Sequence, residues 1–134
     1  DLSKEVNYVS VLNTIAAMGQ GALGIEAVDR ADILEAIEFL NDEKSVIETT
    51  IERAFVHKLN GGCQAPIGVS ARLDGDKIFV RAIVGTPDGK EILKDERVFN
   101  KAEYKEAGEI LADEFIAKGA KELLAKAEQI ASQI

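Results

Sequence analysis

From Ile67 onward the apolar residues fall on every second position, and this change of period constrains the fold more than any other feature of the chain. Ile67, Val69, Ala71 and Leu73 alternate with smaller or polar residues, and "DGD" then turns the chain into a second run, Lys77 to Val84. "TPDG" turns it again into a weaker strand, Glu91 to Phe99. Three short strands joined by two tight turns make an antiparallel meander. An alternating strand buries one face only, so something must cover that face.

Helices on both sides of the meander supply the cover. Upstream, a helix from about Asp42 to Leu59 places Ile47, Ile51, Ala54, Phe55 and Leu59 on one stripe, with Gly61 where a C-terminal cap favours positive φ. Downstream, Asn100 followed by Glu103 resembles a capping box, and the helix it opens has Tyr104, Ala107, Leu111 and Phe115 on its inner face. Gly119 interrupts or ends that helix, and a last one places Leu123, Ala127, Ile130 and Ile134 on one side. The predicted class is α+β, a three-stranded antiparallel sheet covered by helices on one face.

The segment before residue 42 reads differently. Residues 6–12 have strand composition, "AAMGQGALGIEAV" suggests a glycine turn feeding a strand over residues 22–28, and "ADILEAIEFLN" has Ile33, Leu34, Ile37 and Leu40 at helical spacing. The chain does not begin with Met, and β-type apolar residues start almost at once, which suggests a piece of something longer.

Composition removes several classes of function. A net charge of −8 opposes a nucleic-acid partner, since phosphate binding needs clustered Lys and Arg. No apolar run approaches the ~20 residues that span a bilayer, so a membrane span is not expected. One cysteine cannot form an internal disulfide, and the opening "DLSKEVNY" lacks the pattern of a secretion signal, so the expected location is cytoplasmic.

Candidate sites are few. Gly19, Gly21 and Gly24 match G-x-G-x-x-G, but a dinucleotide site needs that loop to open a helix, and a strand is expected next. The alternatives are a structural turn, or glycines that let backbone approach a ligand while Gln20 supplies an amide. His57 sits off the inner stripe and reads as solvated; without a second His or Cys there is no metal set. Glu52 and Arg53 are adjacent on a helix, so they point about 100° apart and each should have its own structural partner. Cys63 follows two glycines and precedes Pro66 in a loop between helix and sheet, where function concentrates. A helix C-terminus disfavours a thiolate, so a functional thiol and a small buried one both stand at this point.

"GGCQAPIG", Gly61 to Gly68, preceded by "ERAF", together with "MGQGALGIE", Met18 to Glu26, resembles the signature segments in the C-terminal half of the porphobilinogen deaminase (hydroxymethylbilane synthase) family; "IVGTPDG" is similar to its sheet region. The resemblance runs from about residue 16 to near the C-terminus. It implies a transferase of tetrapyrrole and heme biosynthesis that condenses porphobilinogen units into linear hydroxymethylbilane with release of ammonia. It implies a dipyrromethane cofactor joined by a thioether to Cys63, with Gln20 and Gly21 as polar contacts to the pyrroles. A thiol sulfur can capture the electrophilic azafulvene left when porphobilinogen loses its amine.

The same resemblance assigns the catalytic aspartate and most carboxylate-binding arginines to N-terminal domains, and nothing in this chain matches them. Residues 1–41 are then a segment belonging to preceding α/β domains, and residues 42–134 a cofactor-carrying domain. The expected partners are porphobilinogen, the growing pyrrole chain and the missing N-terminal domains, with no catalytic residue in this chain and no activity alone. Ignoring the resemblance, the competing expectation is a non-enzymatic α+β interaction or ligand-binding module with a free structural cysteine.

Overall fold

The computed structural model describes residues 12–59 and 66–133. Among them are helices α1 (Ala31–Ile37), α2 (Glu43–Lys58), α3 (Tyr104–Ala117) and α4 (Ala120–Ser132), and strands β1 (Ile67–Asp74), β2 (Lys77–Gly85) and β3 (Ile92–Asn100). The strands form one antiparallel sheet in the order β1-β2-β3. Val69 pairs with Ala82 and Ala71 with Val80 across the first pair of strands, and Ile78 pairs with Phe99 across the second. That register puts Val69, Ala71, Ile78, Val80, Ala82, Val84 and Phe99 on one face, and all seven are buried. The α+β class and the meander expected from the alternation are both present.

The "weaker" pattern of β3 has a physical cause. Its inward positions include Asp95 and Arg97, which face Ala82 and Val80 across the ladder. Both reach the end of α3, where Arg97 pairs with Glu114 and Asp95 with Lys118. Ion pairs replace apolar contact along that margin of the core.

Helix α2 starts where Asp42 accepts from the Ser45 N–H at 3.0 Å and from the Ser45 hydroxyl at 2.7 Å. It buries Ile47, Ile51, Phe55 and, at its end, Leu59. Phe55 meets Phe115 of α3 edge to face, with ring centroids 5.1 Å apart. The two helices approach closely because Gly108 lies at their crossing. A Cβ there would fall inside van der Waals contact of the Ile51 carbonyl oxygen and 2.8 Å from the Ala54 Cβ.

The expected Asn100–Glu103 cap forms, with Glu103 accepting from the Asn100 N–H at 2.8 Å, and it opens a short 3-10 turn before α3. Gly119, at φ 96°, separates α3 from α4. The buried face of α4 is Ala120, Leu124 and Ala127, with Leu123 only partly buried, so its contact is rotated from the expected stripe.

The segment before α2 departs from expectation. The strand expected over residues 6–12 lies outside the described residues apart from Leu12. Residues 22–28 form neither strand nor helix. Leu23 is 96% exposed, and Ile25 and Val28 are also exposed. Among the described residues no strand lies beside them, and β-favouring side chains without a neighbouring ladder do not make a sheet. The short helix does form, followed by a 3-10 turn at Glu38–Leu40, but it buries none of its residues.

Two measurements test this packing. Gly108→Ala should destabilise the chain by about 1–3 kcal/mol, the usual cost of overpacking, with little change in circular dichroism; an unchanged urea midpoint would contradict the close approach. The Asp42 carboxyl is held below its ordinary value by the Ser45 hydroxyl and then by the Ser45 N–H. Because the folded value lies below the unfolded one, its contribution is complete above the ordinary carboxylate range and disappears as pH falls through the lowered value. Asp42→Asn keeps an acceptor but cannot titrate, so stability should fall less steeply below about pH 4 than in the parent chain.

Candidate functional site

Three stretches converge at the free edge of β1. The outward N–H of Val69 donates to the Ala16 carbonyl at 2.9 Å. The next outward N–H, that of Ala71, donates to Glu52 Oε1 at 3.0 Å. The other oxygen, Oε2, accepts from the Gly19 N–H at 2.7 Å. One buried carboxylate of α2 thus joins the sheet edge to the turn at Gly19–Gly21, taking up donors that an edge strand otherwise leaves unpaired.

The turn itself needs glycine. Gly19 and Gly21 have φ of 70° and 81°, and the Ala22 N–H closes the turn on the Gly19 carbonyl at 3.1 Å. Gly68 answers a different demand. A Cβ there would lie 2.9 Å from both the Ile15 carbonyl and Ile83 Cγ2, so this glycine lets the chain at residues 15–16 cross the sheet.

Between the turn, the first half of α2 and β1 is an open cavity of about 410 Å³, lined by Gln20, Gly21, Ser45, Glu48, Thr49, Ser70 and Arg72 among others. Its charges are mixed. Lys44 Nζ stands 3.9 Å from Glu48 Oε1, which has no hydrogen-bond partner among the described residues. Arg72 lies over the Phe79 ring, 5.1 Å from its centroid. The cavity lining therefore includes an amide, hydroxyls, two cations and the Glu48 carboxylate, whose Oε1 is buried beside Lys44. That set suits a polar, anionic ligand with N–H donors.

Of the residues singled out from sequence, Gln20 and Gly21 line this cavity and are exposed to solvent. Cys63 lies outside the described residues, as does Gly61 with its expected cap. The residues flanking that segment are placed: Leu59 is buried at the end of α2, and the Pro66 carbonyl accepts from the Gly85 N–H at 3.1 Å just before β1. The segment with Cys63 therefore joins the same two elements, α2 and β1, that Glu52 ties to the turn.

Glu52 and Arg53 diverge, the first buried and the second exposed, and do not form an acid/base pair. His57 is exposed, and among the described residues no cluster of His, Cys, Asp and Glu could hold a metal. No helix among them is long and apolar enough to cross a membrane. The glycine turn leads into irregular chain rather than a helix, which removes the support for a dinucleotide loop. Sequence reasoning gave Glu52 a structural partner but not this role; the available signal was an acidic residue beside Ile51 at the margin of the apolar stripe.

Comparison with known proteins gives this arrangement a family. The profile described as "Porphobilinogen deaminase, C-terminal domain" matches residues 46–117, more than half of the chain. This chain belongs to the porphobilinogen deaminase family. A porphobilinogen deaminase of Campylobacter fetus is 67% identical over 130 residues, covering 97% of this chain and 43% of the relative. One from Campylobacter hominis is 62% identical over 134 residues, covering 98% and 44%. The porphobilinogen deaminase resemblance carried by the cysteine and glycine segments is thus borne out, and the chain spans less than half the length of these curated relatives.

Replacing Glu52 by leucine tests the edge tether. It leaves the Gly19 and Ala71 N–H groups without their acceptor, so Glu52→Leu should lower stability by about 2–5 kcal/mol in urea unfolding. A loss under about 1 kcal/mol would mean that both groups find water.

Proposed function

We propose that this chain is the C-terminal part of a transferase that condenses porphobilinogen units into hydroxymethylbilane with release of ammonia. In this reading Cys63 holds the dipyrromethane primer by a thioether, and Gln20 and Gly21 make polar contacts with the pyrroles. The observation that carries it is the shared seam: the residues flanking Cys63 and the Gln20–Gly21 turn are anchored to the same pair of elements, α2 and β1. Family membership supports the choice of reaction.

The donor set fits the group. Dipyrromethane carries carboxylates and pyrrole N–H donors, and the cavity presents Lys44 and Arg72 beside the Gln20 amide and Glu48. When attached, it supplies the terminal pyrrole from which the product chain grows. Gln20 would orient a ring through its side-chain amide, and Gly21, lacking a side chain, would let a ring approach the backbone. A Cys63 sulfur embedded in a C–S bond would hold the primer through successive turnovers.

The chain alone is inactive in this proposal. It spans 43% of its Campylobacter fetus relative. The cations of its cavity are too few to hold several carboxylated pyrroles. Leu12, Leu23, Val28 and Phe39, all exposed ahead of α2, suit burial against N-terminal domains.

Joining this chain to the N-terminal portion of the Campylobacter fetus relative provides the test. Intact and peptide mass spectrometry should find an adduct of two pyrrole units on the Cys63 peptide, and Cys63→Ser should lose both adduct and hydroxymethylbilane formation. The chain alone should form no product. An unmodified thiol in the complete, active enzyme would falsify the primer assignment and favour a free structural cysteine.

A further inference from the structure

We infer that Glu52 is a positioning residue for the proposed reaction, fixing the Gln20–Gly21 turn against the α2–β1 seam without touching substrate. The inference rests on the reading of Gln20 and Gly21 given above. Packing does not locate this turn: a Cβ at Gly19 or at Gly21 would meet nothing within 4 Å, and Gln20 is exposed. Its internal bond, from the Ala22 N–H to the Gly19 carbonyl, shapes the turn but does not attach it. Among the described residues, the hydrogen bond from the Gly19 N–H to Glu52 Oε2 is what joins the turn itself to the core; the preceding anchor is at Ala16, whose carbonyl accepts from the Val69 N–H.

The carboxylate is itself held. It is buried beside Ile51, on a helix wedged against α3, and its second oxygen takes the Ala71 N–H. Two donors converge on one group, so the chemistry calls for two acceptor oxygens. Glutamine has the same shape but would turn an NH2 toward one of the two N–H groups. A charged acceptor also makes shorter and stronger bonds than a neutral one. Displacement of the turn by even an ångström would move the Gln20 amide off a pyrrole it orients.

The test uses the complete enzyme made from this chain and the Campylobacter fetus N-terminal portion. Parent, Gln20→Ala, Glu52→Gln and the double variant are compared for kcat and KM with porphobilinogen, well below their melting temperatures. Glu52→Gln should keep the Cys63 adduct and the fold but lose about 10-fold or more in kcat/KM. The double variant should fall by less than the product of the two single effects, since a displaced turn has already lost what Gln20 contributes. Multiplicative effects, or parent-like kcat/KM in Glu52→Gln, would overturn the inference.

Hydrogen exchange in the parent enzyme decides the matter even if Glu52→Gln does not fold. The Gly19 amide should exchange as slowly as that of Ala71, and exchange as fast as an exposed amide overturns the tether. A missing Cys63 adduct, or an unimpaired Gln20→Ala, overturns the site reading itself. An impaired Gln20→Ala beside an unimpaired Glu52→Gln overturns this inference alone.

Discussion

A single carboxylate accepting two backbone N–H groups from distant parts of the chain holds the β1 edge of this domain together. An open three-stranded sheet has two free edges, and that of β1 borders the glycine turn at Gly19–Gly21. Glu52 reaches this edge from α2, where a helical side chain competes with no ladder of its own. The result is a mixed edge: a backbone carbonyl satisfies Val69, a side chain satisfies Ala71, and the same side chain captures the turn. Charge-assisted bonds satisfy these donors without a fourth strand, so the surface beside the turn stays open.

The core that supports it depends on close helix approach. Phe55 and Phe115 meet edge to face, and Gly108 lets the backbones of α2 and α3 come together. This fixes the rotation of α2 about its axis. With Ile47, Ile51 and Phe55 facing inward, Glu52 is carried to the sheet margin and Arg53 to solvent.

Much of this was legible before any coordinates. The period-two run from Ile67 and the two D-G turns specified the meander, because side-chain alternation and turn chemistry are local. The stripes on α2 and α3 were legible for the same reason. Residues 22–28 misled because strand composition is a statement about fit to neighbours, and among the described residues these have none. On α4, alanines at the contact carry little hydropathy signal, so a stripe through Leu123 does not mark the buried Leu124. Glu52 was half legible: adjacency excluded a pair with Arg53, but its partners are N–H groups, 33 and 19 residues away along the chain, that no side-chain pattern marks. Gly68, read only as a letter of the cysteine signature, proved to be a crossing point for residues 15–16.

The turn at Gly19 has a thermodynamic consequence. Glycines are the residues with the most backbone freedom to lose, so an untethered Gly-Gln-Gly segment would surrender that entropy each time it met a ligand. Fastened to a helix that is already immobile, the segment loses it once, on folding. In the proposed reading, a ligand then meets an element that is exposed like a loop but tethered to the core.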